Sequence, residues 1–266
     1  MKCTILTDNR TNDSQLIAEH GLSVYVETAR HKLLLDTGAS DVFIRNAERL
    51  GIDLTEVDYA FISHGHTDHA GGLSAFMQLN SKAHVLLSPH CLDRVFYSDR
   101  DGLHPVTTDW TAINRSRLKL IDKNTQIEDN LWVFPSCKKQ YPLPSGNRHL
   151  WAGETAECLV LDDFCHELVL YVEGLLFTGC AHNGLENILA SVSTDLPFHT
   201  VLGGFHLLDG YEASEDLLRL AQHLKETYPK VHFYTSHCTG DASLQTMQQV
   251  LGEQLQGFSV GRVIEA

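Results

Sequence analysis

The chain has 266 residues, of which 43% are hydrophobic and 20% are charged, and its formal net charge is −14 with histidine neutral. This composition is typical of globular proteins, and the length suffices for one large domain or two small ones. The negative charge argues against binding along a nucleic-acid backbone, and no apolar run approaches the length of a transmembrane helix. We therefore expect neither a nucleic-acid partner nor a membrane partner.

The N-terminal stretch and the cysteines both indicate a reducing compartment. The sequence MKCTILTDNR reads as a strand, because it lacks the long apolar core and the small-residue cleavage site of a signal peptide. The seven cysteines are odd in number, scattered and never spaced as CxxC. Since structural disulfides are rare in the cytosol, we expect a cytoplasmic protein with reduced thiols.

Short stretches rich in β-branched and aromatic residues alternate with stretches of helical periodicity along the chain. Strands are predicted over residues 3–7, 22–27, 32–36, 59–63, 84–88, 159–162, 168–172, 175–178, 200–202, 232–235 and 258–264. Helices are predicted over residues 40–50, from Leu185, over 214–228 and over 241–251. This alternation predicts an α/β fold.

The periodicity weakens between about residues 90 and 150, where Trp110, Tyr141 and two prolines interrupt any regular run. The segment is longer than an ordinary connection between elements, so it should contain some structure of its own. We expect one domain over residues 1–266, with an insertion or elaborated loop region at about 90–150 that lies over a cleft.

Residues 61–73, FISHGHTDHAGGL, place three histidines and one aspartate directly after an apolar strand. His64 and His66 can point at one position, and Asp68 and His69 at a second position nearby. Imidazole and carboxylate together suit zinc, and also iron or manganese. The alternative interpretation is a polar helix cap whose histidines are incidental. The density of donors favours a metal site.

The HxHxDH pattern of this loop resembles the metal-binding motif of the metallo-β-lactamase superfamily. Three further segments agree with the resemblance, namely LLLDTG at 33–38, LLFTGC at 175–180 and SHCTG at 236–240. The resemblance covers almost the whole chain apart from the insertion. It implies an αββα sandwich, with two mixed β-sheets flanked by helices and a dinuclear metal site at one edge.

Within the superfamily, one branch is especially similar. The segments EHGLSVYVE, SHGHTDHAGGL, TGCAHNGLENI, GGFHL and HCTG resemble the branch of archaeal 7,8-dihydropterin-6-methyl-4-(β-D-ribofuranosyl)aminobenzene-5′-phosphate synthase-like proteins. This similarity raises a synthase or transferase activity as an alternative to hydrolysis.

The resemblance assigns His64 and His66 to a first metal, and Asp68, His69 and His237 to a second. Asp36 corresponds to the acidic residue that usually precedes the motif.

Two positions depart from the superfamily pattern. Cys180 stands where an aspartate usually bridges the metals; its thiolate could bridge them, or the side chain could be buried without a metal bond. The third ligand of the first metal is predicted to be His182, which follows a strand end, with Asp163 and His166 as alternatives.

Other polar residues surround these motifs. His206 follows a strand end in LGGFHLLDG, and we predict a catalytic role there, such as holding an oxyanion or donating a proton, against the alternative of a surface loop. Asp68 is predicted to orient the nucleophile as well as to bind metal. Glu19 and His20 are candidates for orienting a ligand, and Cys238 is interpreted as a small buried residue. The other histidines are interpreted as ordinary surface or core residues: His84, His90, His104, His149, His199, His223 and His232.

The sequence therefore predicts a metallo-hydrolase in which two divalent metal ions activate water to attack a carbonyl or phosphoryl centre. Zinc is the expected metal, with iron and manganese as alternatives. We expect a small-molecule substrate, for which an anionic or phosphorylated group is compatible with the metal charge. A catalytically silent metal-binding sensor is the alternative from a different class, and homo-oligomerisation stays open.

Overall fold

The computed structural model describes residues 1–135, 139–192 and 195–266. The strands, numbered in chain order, are β1 Lys2–Thr7, β2 Ser23–Glu27, β3 Lys32–Leu35, β4 Tyr59–Phe61, β5 His84–Leu87, β6 Val95–Ser98, β7 His104–Pro105, β8 Leu118–Leu120, β9 Thr125–Glu128, β10 Leu131–Pro135, β11 Leu150–Gly153, β12 Val160–Leu161, β13 Leu168–Val172, β14 Leu175–Phe177, β15 Thr200–Leu202, β16 His232–Thr235, β17 Leu255–Gly257 and β18 Val263–Glu265. The α-helices are α1 Val42–Arg49, α2 Thr67–Ala70, α3 Leu73–Leu79, α4 Leu185–Ser191, α5 Ser214–Thr227 and α6 Asp241–Leu251.

Two seven-stranded mixed sheets form the centre of the molecule. The strand order is β18-β1-β2-β3-β4-β5-β8 in the first sheet and β17-β16-β15-β14-β13-β10-β9 in the second. Strands β3, β4, β5 and β8 are parallel to one another, and so are β14 to β17. A smaller antiparallel sheet has the order β12-β11-β6-β7.

Side chains alternate between two apolar layers along β13, as the two-residue period of a strand requires. Leu168, Leu170 and Val172 pack in the core between the two large sheets, whereas Val169 and Tyr171 pack against the helical layer of α4, α5 and α6. Burial of each such side chain contributes on the order of 1.5–3 kcal/mol. The second sheet is therefore covered on both faces.

The first sheet shows the same arrangement. Leu33 and Leu35 of β3 pack between the sheets, and Leu34 points to the opposite face, where Phe43 of α1 and Phe76 of α3 cover it. The layers therefore run helix, sheet, sheet, helix. This confirms the predicted αββα sandwich.

Most predicted elements lie close to the observed ones. Helix α6 coincides with the prediction for 241–251, and α1 and α5 differ from their predictions by two residues or fewer at each end. The prediction of one strand over 258–264 is wrong. Gly261 has a φ of 85° and lies in a turn, so the chain forms β17 before this stretch and β18 at its end.

The region at about 90–150 contributes to all three sheets. Strands β6, β7 and β11 belong to the small sheet, β8 extends the first large sheet, and β9 and β10 extend the second. Residues 136–138 of this region lie outside the described part. The division of the chain into one domain with an insertion stays a prediction.

Two further sequence expectations concern the thiols and the membrane. The six cysteines within the described ranges are all free thiols, and the seventh, Cys137, lies outside them. Among the described helices, none combines the length and the apolar character that crossing a bilayer requires.

Candidate metal centre

The parallel strands end at one edge of the sandwich, and the polar motifs follow these ends directly. Asp36 follows β3, the HxHxDH loop follows β4, Cys180 comes shortly after β14, and His206 and His237 come after β15 and β16. Loops at the carboxyl ends of parallel strands converge, which is why this edge is a common ligand site in α/β folds. The topology therefore brings together segments that are up to about 200 residues apart in sequence.

Backbone strain is concentrated at the same edge. Of the non-glycine residues with positive φ in the described chain, four lie in these loops: Asp36 at 57°, Ala181 at 56°, His206 at 51° and His237 at 54°. Such conformations cost on the order of 1–3 kcal/mol each and persist only where the surrounding structure imposes them. Their clustering is typical of a functional site.

The first group of donors consists of three histidines. The ligand atoms of His64, His66 and His182 lie within 4.8 Å of one another, and all three side chains are buried. The Nε2 atom of each ring has no hydrogen-bond partner. Asp162 Oδ2 lies 3.6 Å from His66 Nε2, beyond hydrogen-bond distance. Three buried nitrogen atoms so close together, without a hydrogen bond, are costly unless a cation binds there.

Neighbouring side chains fix the opposite nitrogen of two of these rings. His64 Nδ1 lies 2.9 Å from Ser63 Oγ, and His182 Nδ1 lies 3.1 Å from Asn147 Oδ1. The His182 ring also stacks on Phe164, with the ring centroids 4.6 Å apart. Hydrogen bonds to the far nitrogen orient metal-binding histidines, so both rings are held with Nε2 towards the centre.

The second group contains the carboxylate of the loop. Asp68 Oδ2 lies 3.2 Å from His237 Nε2 and 3.7 Å from His69 Nε2, and the two Nε2 atoms are 3.1 Å apart. His69 Nδ1 lies 2.6 Å from Asp36 Oδ2, and His237 Nδ1 lies 2.9 Å from Asn9 Oδ1. In His69 and His237, as in the first group, a hydrogen bond holds Nδ1 and leaves Nε2 directed towards the centre of the site.

Cys180 lies between the two groups. Its Sγ atom is 3.0 Å from His69 Nε2, and it belongs to compact donor sets with His64 and His69, with His182 and His206, and with His237 and Cys238. A sulfur in this position could contact either metal or both. Whether Cys180 bridges two metals stays a prediction.

His206 is buried in the wall of the site, and the alternative of a surface loop is wrong. Its ring centroid is 4.2 Å from that of His182, and neither ring nitrogen has a hydrogen-bond partner. The residue is therefore available to a substrate or to a metal. Its predicted catalytic role stays a prediction.

The structure separates the two alternatives to His182. Asp163 has a half-exposed side chain, and its Oδ1 forms an ion pair with Arg94 at 2.9 Å. His166 is buried near the site, but Gly65 N donates to its Nδ1 and its Nε2 lies 3.0 Å from Asp162. Since both nitrogens of His166 are engaged, His182 fits the third position best.

Glu19 and His20 line the cavity beside the site, and their orienting role stays a prediction. Glu19 accepts hydrogen bonds from the backbone N–H groups of Ala39 and Ser40 and so braces the loop after β3. His20 Nε2 lies 3.4 Å from Asp68 Oδ2. The contact with Asp68 places His20 beside the second group of donors.

Sequence reasoning missed several buried partners. Glu167 accepts from the backbone N–H groups of His182 and Asn183 and from the Asn183 side chain, so it fixes the turn that presents His182. Burial raises the pKa of Glu167 to about 7. Asp162, Asn147 and Asn9 were also missed, because only their contacts in the folded chain identify them as partners of the histidines.

The electrostatics of the site favour a bound cation. Burial lowers the pKa of His64 and of His182 well below 6.5, so both rings are neutral donors. Burial alone would raise the pKa of Asp68, but His69 and His237 hold it well below its usual range. Burial raises the pKa of the Cys180 thiol well above 9 when no cation is near. Neutral imidazoles beside a carboxylate and thiols fit a divalent metal.

A cavity of about 580 Å³ opens onto both groups of donors. Its wall includes Cys180, His182 and His206 from the sheet edge, and Arg100 and His104 from the region at about 90–150. That region therefore covers the site as expected. The interpretation of His104 as an ordinary surface histidine is incomplete, because the exposed His104 also lines this cavity.

Sequence comparison identifies relatives over different parts of the chain. The family model of the metallo-beta-lactamase superfamily matches residues 17–91. A 7,8-dihydropterin-6-methyl-4-(beta-D-ribofuranosyl)-aminobenzene-5′-phosphate synthase of Methanocaldococcus jannaschii is 24% identical over 98% of this chain and 95% of its own length. An uncharacterized protein of the same organism is 26% identical over 97% of this chain and 96% of its own length.

Structural comparison covers the whole fold. A crystal structure described as a metal-dependent hydrolase of the beta-lactamase superfamily superimposes with a TM-score of 0.84, at 28% identity, over 100% of this chain and 99% of the other.

Proposed function

We propose that the chain is a metal-dependent hydrolase of the metallo-β-lactamase superfamily, with a dinuclear site acting on a small cytosolic substrate. The observation that carries the proposal is the pairing of two donor groups on either side of Cys180. His64, His66 and His182 would hold one metal, and Asp68, His69 and His237 the other. Zinc suits these donors, and iron or manganese would suit the imidazole and carboxylate part.

Each side chain of the site has a role in this proposal. The chemistry that bound metal ions supply is a water made acidic, with a pKa near 7 instead of 15.7, and an electrophile for the attacked carbonyl or phosphoryl oxygen. Asp68 Oδ2, held by His237, orients the attacking water. His206 has an unpartnered ring nitrogen at the cavity wall and protonates the leaving group.

The mouth of the cavity supports an anionic substrate. Arg100 lines the cavity, and its buried Nε has no hydrogen-bond partner. Arg100 and Arg148 lie 5.7 Å and 5.0 Å from the centre of the Tyr211 ring, and neither forms an ion pair with a described carboxylate. Other arginines do form such pairs: Arg10, Arg30, Arg45, Arg94 and Arg219. Arg148 Nε donates to His149 Nε2 at 3.2 Å, so Arg100 is the candidate anion-binding residue. In a chain of net charge −14, its guanidinium at the cavity wall suits a phosphate or carboxylate of the substrate.

The proposal is tested by metal-dependent turnover. Protein reconstituted with zinc, iron or manganese is assayed on a panel of phosphodiesters, phosphomonoesters, lactones and thioesters, with His64→Ala as the inactive control. Hydrolysis that requires metal and His64 supports the proposal. Stoichiometric metal without any metal-dependent rate would favour a sensor, and protein that takes up no metal would refute the site itself.

A synthase or transferase reaction is the second candidate. The similarity to the archaeal synthase over nearly the whole of both chains favours it. In that case the same cavity would bind a dihydropterin and a phosphorylated aromatic partner. Incubation with a dihydropterin and a phosphorylated ribosyl-aminobenzene, followed by mass spectrometry, decides between the candidates: a condensation product above the His64→Ala background supports the synthase.

A further inference from the structure

We propose that Cys238 is an additional metal-binding residue, so that the thiolates of Cys180 and Cys238 join His237 at the second metal position, beside Asp68 and His69. This inference rests on the proposed metal site and deepens it. It assigns the position to cations that bind sulfur well, such as Zn²⁺ or Co²⁺, rather than to Mn²⁺ or Mg²⁺.

The geometry places the three donors around one point. The Sγ atoms of Cys180 and Cys238 and a ring nitrogen of His237 all lie within 4.8 Å of one another. Cys238 is 5% exposed and lines the same cavity as the other two residues. The left-handed backbone of His237, with a φ of 54°, lies within the turn that presents two consecutive donors to the site.

Backbone groups hold the sulfur of Cys238 at the site. The backbone N–H of His206 donates to Cys238 Sγ at 3.3 Å, and Cys238 Sγ lies 3.8 Å from the carbonyl oxygen of Cys180. Gly204 leaves room for this sulfur, since a Cβ at that position would approach Cys238 Sγ to 2.4 Å. Thr239 Oγ1 accepts a hydrogen bond from Phe205 N and forms another with Thr235 Oγ1. These two bonds hold the turn in place.

Packing alone does not explain this thiol. Cys3 and Cys91 belong to apolar cores of the described chain, as structural cysteines do, whereas Cys238 belongs to none of the three. Its sulfur faces Cys180 and His237 instead. On metal binding each thiol loses its proton to solvent and a metal–sulfur bond forms, so the reaction needs no oxidant or reductant.

The test is the absorption spectrum of protein reconstituted with Co²⁺, in which thiolate ligands give intense charge-transfer bands in the near ultraviolet. Cys238→Ser and Cys180→Ser should each reduce the band intensity per bound cobalt by about half, since each removes one of two sulfur donors. Cys158→Ser, at an exposed cysteine, is the matched control and should leave the spectrum unchanged. An unchanged spectrum of Cys238→Ser at equal cobalt content would overturn the inference.

A competition experiment gives an independent readout. The wild-type protein and Cys238→Ser are equilibrated with Zn²⁺ and Mn²⁺ together, and the bound metals are quantified by elemental analysis. The loss of a thiolate should shift the bound ratio towards manganese by about tenfold or more. An unchanged ratio would contradict the proposal, whereas a wild-type protein that binds no metal would refute the metal site as a whole.

Folding of the variants is checked by circular dichroism, and Cys238→Ala serves as a second variant. If both variants unfold, a zinc-edge anomalous map of crystals of the wild-type protein decides. A peak about 2.3 Å from Cys238 Sγ supports the inference, and a second-position peak more than about 3 Å away overturns it.

Discussion

Replacement of Asp36 by asparagine should weaken metal binding although Asp36 touches no metal in the proposed site. The carboxylate is fully buried and accepts three hydrogen bonds: from Ser63 N at 2.7 Å, from Ser63 Oγ at 2.7 Å, and from His69 Nδ1 at 2.6 Å. Its negative charge requires that His69 carries its proton on Nδ1. The Nε2 atom of His69 is thereby left free to bind metal.

In Asp36→Asn the amide oxygen can still accept from Ser63 N, but the amide NH₂ then faces His69 Nδ1. His69 must accept this hydrogen bond and move its proton to Nε2, where it blocks metal binding. Loss of such an orienting partner typically costs about 10- to 100-fold in metal affinity, or about 1.4–2.7 kcal/mol. We expect a decrease in zinc affinity of this size.

The assay is competition for zinc between the protein and a chromophoric chelator of known affinity. Asp41→Asn is the matched control, because Asp41 is half exposed and, among the described residues, its carboxylate pairs with Arg45 of α1 alone. Exposed pairs of this kind contribute about 0.3–0.5 kcal/mol to the free energy of folding. Because the pair does not orient a metal-binding histidine, its loss should leave zinc affinity unchanged. Wild-type zinc affinity in Asp36→Asn, or an equal loss in Asp41→Asn, would refute the reasoning.

Three further outcomes are expected. Glu167→Gln should lower the free energy of unfolding of the metal-free protein by about 1–3 kcal/mol, measured by urea denaturation. The amide oxygen can accept from only one of the backbone N–H groups of His182 and Asn183, and the amide NH₂ then faces the other; unchanged stability would show that this carboxylate does not fix the turn. Arg100→Met should raise KM for a phosphorylated or carboxylate substrate by about tenfold or more, with kcat little changed. The same variant should be inhibited more weakly by inorganic phosphate. Equal inhibition of the wild-type protein and the variant would exclude Arg100 from anion binding. Removal of metal by a chelator should lower Tm, since free metal at 1,000 times Kd stabilises the folded protein by about 4.1 kcal/mol. A Tm that does not depend on metal would contradict metal binding by the folded protein.

The metal loop was predictable because its signal is local. His64, His66, Asp68 and His69 follow one strand within six residues, and a helix cap alone would not require so many metal-binding donors. His237 was identified by its resemblance to a known motif. The structure brings these side chains together, which their positions at the ends of parallel strands already implied.

The residues that orient the ligands were not predictable in the same way. Asn147 contacts His182 across 35 positions and Asn9 contacts His237 across 228 positions, with no repeating pattern around either asparagine. Hydrogen-bond partners of this kind are defined only by the tertiary fold. Asp36 was the exception, since it lies in a segment that resembles the superfamily.

The strands between residues 90 and 135 were missed for a related reason. Strand β9 alternates between half-buried and exposed side chains, and β6 between half-buried and buried ones, so neither shows a strong apolar period. Each strand is stabilised by a neighbour in a sheet that other parts of the chain define. Phe96 of β6 packs 5.4 Å from the His66 ring, which links this region to the metal loop.

The proposed site holds two metal ions on either side of Cys180. Anomalous diffraction at the zinc edge, from crystals grown with zinc, locates such ions. We expect two peaks, one about 2.0–2.1 Å from the Nε2 atoms of His64, His66 and His182, and one at similar distances from Asp68 and from the Nε2 atoms of His69 and His237. A single peak, or none at these residues, would contradict it.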